Sequence, residues 1–288
     1  MAFKRITDKR KLALLANDIR ADIVKSLHAA GSGHPGGSLG MTDVYTILYF
    51  YALNHNPKKP EWKDRDRVVL SNGHICPVLY CTMAHAGYWD IKEVMTLRKM
   101  GSRFQGHPHR TDLPGVETSS GPLGSGLSQA VGMALAGEMD DAEYTVYAMT
   151  SDGEHQEGNH WEAVMLAGKH KLSNLIQIMD RNYIQIDGRT EQVMPLDPVR
   201  EKYEAFGWYV IEVDGHNYDQ VMEAMDEAKK VRKQPVLINA LTVPGKGVSF
   251  MEDDHHWHGK TPNDEELETA LADLAHVREM IEQYKYEY

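Results

Sequence analysis

The sequence has little of what marks secreted or membrane-spanning proteins. Its 288 residues include only two cysteines, Cys76 and Cys81, which are five positions apart on a predicted helix and so do not face each other. This pattern predicts free thiols and a reducing, cytoplasmic setting. No stretch approaches the roughly 18 apolar residues of a membrane-spanning helix, and the N-terminal segment lacks the continuous apolar core of a signal peptide.

Positive charge is also scarce. The 31 Lys and Arg residues are outnumbered by 42 Asp and Glu residues, so the net charge is -11. This balance argues against nucleic acid or an anionic membrane as the main partner. A phosphorylated ligand stays possible, because a bound Mg²⁺ can supply the positive charge. The chain has no glycine-rich loop that ends in Lys-Ser or Lys-Thr, which excludes an ordinary nucleotide P-loop.

Apolar and β-branched runs alternate along the chain with segments of helical periodicity. The runs predict strands over residues 67–70, 144–150, 174–179, 209–213 and 235–243. This alternation predicts a single α/β domain over residues 1–288, with a mainly parallel sheet flanked by helices.

Two helices are predicted outside this alternating pattern. One covers residues 8–30 with Asp8 as its cap, and the other begins at about Pro262 with Thr261 as its cap. The glycine-rich stretch from Gly31 to Ser38 predicts an irregular loop whose backbone approaches a neighbour or a ligand closely.

Residues 144–188 have the pattern of a β-α-β unit and form the centre of the predicted sheet. The first strand leads into Ser151-Asp152-Gly153, and the second ends at Asp180-Arg181-Asn182. Since such units make parallel strands, Asp152 and Asn182 are expected at the carboxyl edge, where open α/β sheets bind ligands. Their oxygens favour a hard cation such as Mg²⁺.

The same stretch resembles the thiamine diphosphate motif, and it is similar to the transketolase family in particular. The residues that carry the likeness are Asp152-Gly153-Glu154, Gln156-Glu157-Gly158, Trp161-Glu162-Ala163, Asp180, Asn182 and Gln185-Ile186-Asp187-Gly188. The resemblance implies thiamine diphosphate as cofactor, bordered by Gly153, and Mg²⁺ held by Asp152, Asn182 and the backbone carbonyl of Ile184. Ser151 stands where the family usually has Gly, and it would be strained if this position required a positive φ.

Four histidines lie in short strings that the transketolase family shares. They are His34 in Ser-Gly-His-Pro-Gly, His74 in Ser-Asn-Gly-His, His107 in Gly-His-Pro and His258 in Trp-His-Gly. The resemblance implies that all four act at the active site and that His74 and His258 also contact the cofactor. Histidine suits proton transfer and hydroxyl binding because its pKa lies near working pH.

Two further features follow from the resemblance. The Gly121-Pro122-Leu123 segment is expected to border the cofactor. Glu157 matches a family acid that lies at the subunit interface and contributes to the cofactor site.

Residue patterns alone leave other interpretations open. His74 could be a helix-cap residue, and the segment Asp253–His258 could be a transition-metal site because His and Asp are good ligands. With the resemblance, we expect His255 and His256 to lie in a solvated loop. We also expect His155 and His160 to be exposed polar residues.

The likeness extends from Gly31 to Gly259 and implies the N-terminal subunit of a split transketolase. A second chain would carry the pyrimidine-binding and C-terminal domains, with the Glu that activates the cofactor, and the assembly is expected to be a dimer of heterodimers. The expected reaction moves a two-carbon ketol unit from a ketose phosphate to an aldose phosphate, as in the pentose phosphate pathway.

Three alternatives remain at this point. The enzyme could act on a sulfonated or branched ketose. The chain could be the alpha subunit of another thiamine diphosphate enzyme, such as a 2-oxo acid dehydrogenase. It could also be a non-catalytic subunit that keeps the fold for assembly.

Overall fold

A five-stranded parallel sheet organises the chain in a computed structural model that describes residues 4–286 and 288. The strands are β1 (Arg67–Leu70), β2 (Val146–Ser151), β3 (Leu175–Arg181), β4 (Ile184–Gln185), β5 (Gly188–Arg189), β6 (Tyr209–Asp214) and β7 (Val236–Leu241). The main sheet has the order β1-β2-β3-β7-β6, and β4 and β5 form a small antiparallel pair. The predicted α/β fold with a mainly parallel sheet is confirmed.

Eleven α-helices are assigned within the described residues. They are α1 (Lys9–Ala30), α2 (Pro35–Gly40), α3 (Thr42–Ile47), α4 (Cys76–Ala86), α5 (Ile91–Val94), α6 (Ser125–Met139), α7 (Gly158–His170), α8 (Thr190–Val193), α9 (Val199–Ala205), α10 (Tyr218–Ala228) and α11 (Asp264–Glu282). A π-helical segment continues α3 over Leu48–Ala52. Short 3₁₀ turns lie at Gly73–Ile75, Gly153–Gln156 and His255–Trp257.

The sheet is buried on both faces, as its nearly unbroken apolar strands require. Along β2, Tyr147 and Met149 pack into the larger core with α1, α3, α4 and α10. Ala148 lies on the opposite face and packs with α6 and α7. This period-2 alternation fixes which way β2 faces, and the strand pairing brings Ser151 level with Asp180 of β3.

The terminal helices pack against each other. Leu274 and Ile281 of α11 are buried, and the backbone carbonyl of Leu274 accepts a 3.0 Å hydrogen bond from the Asn17 amide of α1. The predicted cap of α11 is wrong by two residues. Asn263 is the N-cap and forms a capping box with Glu266, an arrangement that satisfies two free N–H groups at once.

The glycine-rich stretch is more regular than predicted. Pro35 begins α2, so that half of the expected loop is helical, and the Ser38 hydroxyl donates to the His34 carbonyl at 2.7 Å. Proline suits this first position because its missing N–H would have no helical partner there. No helix within residues 4–286 is long and apolar enough to cross a membrane.

Candidate active site

A cavity of about 450 Å³ opens at the carboxyl edge of the sheet, where β2 and β3 end. Each of these strands is followed there by a short polar loop, as expected for a ligand site of an open α/β sheet. Its walls come from several separate segments of the chain. They include His34, Gly36, Gly37, His74, His107, Gly121, Leu123, Ser151, Gly153, Glu154, Gln156, Glu157, Asn182, Ile184, Gln185, Ile186, Asp187, Pro244, Asp254 and His258.

Three of the four predicted histidines form a compact cluster in this cavity. The ring centroids of His34 and His74 are 5.0 Å apart, those of His34 and His258 are 5.5 Å apart, and those of His74 and His258 are 5.3 Å apart. These side chains come from three distant parts of the sequence. Folding therefore brings together the Gly-rich, Ser-Asn-Gly-His and Trp-His-Gly strings.

Burial holds these histidines in the neutral form. It lowers the pKa of His34 to about 4, with the neighbouring His258 and Arg98 adding to the shift. It also lowers the pKa of His74 far below its ordinary value and the pKa of His258 below it. A neutral imidazole has one donor and one acceptor nitrogen. The cluster can therefore both give and take hydrogen bonds.

His107 lies at a more exposed part of the same cavity. Partial burial lowers the pKa of His107, and the nearby charge of Arg98 lowers it further. The structure thus places all four sequence-predicted histidines around one cavity.

Asp152, a predicted metal ligand, lies directly behind the cavity wall. Its carboxylate is fully buried and accepts hydrogen bonds from the backbone N–H groups of Gly153 and Tyr183, both at 2.7 Å. Its Oδ2 also lies 3.2 Å from a guanidinium nitrogen of Arg181. The Thr190 hydroxyl also donates to Oδ2, at 3.4 Å, whereas Oδ1 accepts only from Gly153 among the described residues and so keeps capacity for a cation.

Asn182 and Ile184, the other two predicted ligands, both line the cavity. The Asn182 amide is fixed from two sides, because its Nδ2 donates to Asp180 at 2.8 Å and its Oδ1 accepts from the Ile184 N–H at 2.9 Å. The sequence alone assigned no role to Asp180. Burial, reinforced by the nearby charge of Asp152, raises the pKa of Asp180 to about 7.

Close backbone approach explains two of the glycines around the cavity. A Cβ on Gly37 would lie 2.8 Å from the Ile75 side chain and 3.5 Å from Asp180 Oδ2. Gly124 has φ 80°, and a Cβ there would lie 2.0 Å from Asn159 Oδ1. Of the predicted cofactor segment, Gly121 and Leu123 line the cavity, whereas Pro122 does not.

Ser151 causes no strain. It ends β2 as extended strand and does not have a positive φ. The turn therefore tolerates Ser in place of the family's usual Gly.

Glu154 is a position at the site to which the sequence alone assigned no role. It is fully buried, and its carboxylate accepts hydrogen bonds from the Ser71 hydroxyl, the Gly124 N–H at 2.6 Å and the Ser151 N–H at 3.3 Å. It thereby connects the ends of β1 and β2 with the segment before α6. Burial raises the pKa of Glu154 to about 7, and these hydrogen bonds oppose the shift.

The predicted exposure of His155 and His160 is wrong. Both are buried, and their Nε2 atoms lie 2.7 and 2.8 Å from the Tyr203 hydroxyl, which also accepts from the Gln177 amide. Burial lowers the pKa of His155 to about 3. No local pattern indicates this cluster, because Tyr203 comes from α9, 43 residues after His160.

Two further acidic residues of the cavity lining come from separate segments of the chain. Glu157, before α7, is exposed and lines the cavity. Asp254, before the 3₁₀ turn His255–Trp257, also lines it. His255 and His256 do not line it, in agreement with the prediction that they lie in a solvated loop. Their side chains are 43% and 74% exposed.

The residues at this site fit a diphosphate bound through a divalent cation. Among the buried polar atoms of the described residues that have no hydrogen-bond partner, His34 Nδ1, both amide atoms of Asn72 and Ser120 Oγ are grouped around this cavity. All three residues lie in the cavity wall or next to it, and unpaired buried polar groups point to a ligand. Of the described residues, no Lys or Arg lines the cavity, so an anionic ligand there needs its own cation.

Known proteins match the chain along nearly its whole length. The family described as "Transketolase, thiamine diphosphate binding domain" matches residues 11–279. The 6-deoxy-6-sulfo-D-fructose transketolase subunit SqwG of a Clostridium species is 41% identical over 259 residues, covering 90% of this chain and 94% of the relative. An apulose-4-phosphate transketolase subunit of Phocaeicola vulgatus is 39% identical, covering 94% of this chain and 96% of the relative.

Longer transketolases match through about half of their length. The transketolase of Campylobacter jejuni is similar to this structure with a TM-score of 0.88 and 33% identity, over 97% of this chain but 46% of its own. The rat transketolase is 38% identical over 88% of this chain and 41% of its own. On the match of sequence and fold, the chain belongs to the transketolase family, within its thiamine diphosphate-binding domain.

Proposed function

We propose that this chain is the diphosphate-binding subunit of a two-chain transketolase. The assembled enzyme transfers a two-carbon ketol unit from a ketose to an aldose. The observation that carries the proposal is the convergence of His34, His74 and His258 with Asn182 and Ile184 around one cavity. It is supported by relatives of nearly equal length that are named as transketolase subunits.

The cofactor site of the proposal uses Mg²⁺ and thiamine diphosphate. Asp152, Asn182 and the Ile184 carbonyl would hold the metal, since hard oxygen ligands suit Mg²⁺. Two buried carboxylates, Asp152 and Asp180, lie near this position, and a divalent charge would offset both. Gly121, Leu123, Gly153 and Glu157 would border the bound cofactor, whereas Pro122 of the same segment is exposed and does not line the cavity.

Once bound, thiamine diphosphate supplies the electron sink for carbon–carbon bond cleavage and formation. The chain itself supplies neutral histidines. His34 lines the cavity and its Nδ1 has no hydrogen-bond partner among the described residues, and we expect this imidazole to bind a sugar hydroxyl or to exchange a proton with it. His74 and His258 would contact both cofactor and sugar, and His107 would bind the sugar further out.

The proposal needs a second chain. The Glu that activates the cofactor in this family belongs to a pyrimidine-binding domain, and we expect it on a complementary subunit together with the C-terminal domain. We propose a dimer of heterodimers, in line with the exposed position of Glu157 at the cavity rim. The free, buried thiols of Cys76 and Cys81 suit a reducing compartment such as the cytoplasm.

A second candidate substrate class is a modified ketose. The relatives named above act, by their names, on a sulfonated fructose and on the phosphate of apulose. Both names describe a sugar that carries an anionic group. The two substrate classes are therefore distinguished by comparing kcat/KM for an unbranched ketose phosphate, a branched ketose phosphate and a sulfonated ketose in the assay of the assembled enzyme.

The test of the metal assignment uses the two-chain enzyme with thiamine diphosphate and Mg²⁺. Asn182→Ala removes one of the three proposed ligands without removing the Asp152–Arg181 ion pair, and Asp152→Ala removes a second ligand. Both should abolish Mg²⁺-dependent ketol transfer, whereas Asp140→Ala, at an exposed position after α6, should not change it. Unchanged turnover in folded Asn182→Ala enzyme would contradict the assignment.

A further inference from the structure

The turn after Asp253 groups three side chains that the proposed function does not use together. Asp254 caps the 3₁₀ turn His255–Trp257 and accepts from the His256 N–H. Within the residues that the structure describes, Asp254, His255 and His256 are the only three metal-ligating side chains whose ligand atoms all lie within 4.8 Å of one another.

Two distances between these atoms bracket the spacing of ligand atoms around a single ion. Asp254 Oδ1 lies 2.7 Å from His256 Nδ1, in a hydrogen bond that a shared ion would replace, and 3.8 Å from His255 Nδ1. Ligand atoms around a tetrahedral Zn²⁺, with bonds of about 2.1 Å, are about 3.4 Å apart. Binding one ion would require rotations of these partly exposed side chains that bring all three atoms to it.

The backbone that presents these ligands is anchored on both sides. Asp253 has φ 56° and forms an ion pair with Arg189 at 2.6 Å. Trp257 is buried, packs against Phe250 with ring centroids 5.1 Å apart, and lies under the Lys260 ammonium at 4.0 Å. A fixed turn lowers the entropy lost when its side chains bind an ion.

The ligand set selects a different metal from the one proposed for the cofactor. Two imidazole nitrogens and one carboxylate oxygen suit Zn²⁺, Ni²⁺ or Cu²⁺, whereas Mg²⁺ prefers oxygen ligands alone. Three protein ligands also leave a coordination position open for water or for an anion.

We propose that Asp254, His255 and His256 form a transition-metal site at the rim of the cavity. Because Asp254 lines the cavity, an ion held there places a divalent positive charge at its entrance. This site is separate from the proposed Mg²⁺ ligands Asp152, Asn182 and Ile184, and it does not depend on the proposed reaction.

The test titrates the full chain, free of added metal, with Zn²⁺ by calorimetry and with Co²⁺ by visible absorption. One ion should bind per chain with a dissociation constant in roughly the micromolar range, and an excess of Mg²⁺ should not displace it. The double variant His255→Ala/His256→Ala should lose this binding event, and Asp254→Asn should weaken it about tenfold.

The matched control is another His–Asp pair, one that has no second histidine beside it among the described residues. His109 Nδ1 lies 3.3 Å from Asp112 Oδ1, so His109→Ala should leave the Zn²⁺ isotherm unchanged. Circular dichroism checks that each variant is folded. Zn²⁺ affinity that is equal in the folded double variant and the wild type, or full displacement by Mg²⁺, would overturn the proposal.

Discussion

The carboxylate of Glu154 accepts a 2.6 Å hydrogen bond from the backbone N–H of Gly124, which lies 30 positions earlier in the sequence. The same carboxylate accepts from the Ser71 hydroxyl and the Ser151 N–H. One buried side chain thus connects three cavity-forming segments. Its contribution can be measured because each donor loses its partner when the carboxylate is removed.

Glu154→Ala should lower the free energy of unfolding by about 3 kcal/mol, since it leaves several buried donors unpaired. Urea denaturation of the isolated chain measures this loss. Glu143→Ala, at a position before β2 that lies outside this hydrogen-bond network, should change stability by no more than about 0.5 kcal/mol. Equal stability of the two variants would show that Glu154 does not hold the segments together.

The buried His155 makes stability depend on pH. Its pKa is about 3 in the folded chain, against an ordinary 6.5, so the unfolded chain binds more protons between these values. The stability that neutral His155 contributes is therefore complete above about pH 6.5 and is lost as the pH falls towards 3. From about pH 7.5 to about pH 5.5 the wild type should lose about 1.4 kcal/mol more than His155→Gln does.

Urea denaturation at both pH values checks this difference. His170→Gln, at the exposed end of α7, should show the same pH dependence as the wild type. This role of His155 would be contradicted if His155→Gln lost as much stability on acidification as the wild type loses.

The burial of Glu154 and His155 could not be predicted from the sequence, although much of the fold could. The parallel sheet, the β2-α7-β3 unit and the shared edge of Asp152 and Asn182 follow from local apolar periodicity and from the right-handed crossover, which are both legible in sequence. The burial of Glu154 and His155 depends on partners such as Gly124 and Tyr203 that come from distant segments. Polar side chains such as Glu154 and His155 are usually exposed. Here they are buried because tertiary hydrogen bonds satisfy them.

Ser151 allows a direct test of the local turn. Because Ser151 lies in extended strand without a positive φ, the family's usual Gly has no conformational advantage here. Ser151→Gly should be less stable than Ser151→Ala by about 0.5–1 kcal/mol, since Gly loses more backbone entropy in a strand. A glycine variant more stable than the alanine variant would indicate strain at this position.

His34→Asn tests whether the histidine cluster acts on the substrate. In the two-chain enzyme we expect kcat/KM to fall by about 10²–10⁴, while the Mg²⁺-dependent affinity for thiamine diphosphate stays the same. Steady-state kinetics and calorimetry separate the two effects. His276→Asn, at an exposed position on α11, is the control, and a parallel loss of cofactor affinity in His34→Asn would assign His34 to the cofactor instead.

The central claim is that this chain holds one part of a site that a second chain completes. The most direct measurement recovers the tagged chain from its own host, identifies what co-purifies, and compares ketol transfer by the complex with that by the chain alone. Thiamine diphosphate and Mg²⁺ are present in both assays. We predict activity in the complex only, together with a second chain that carries the activating Glu; full activity of this chain alone would contradict the shared site.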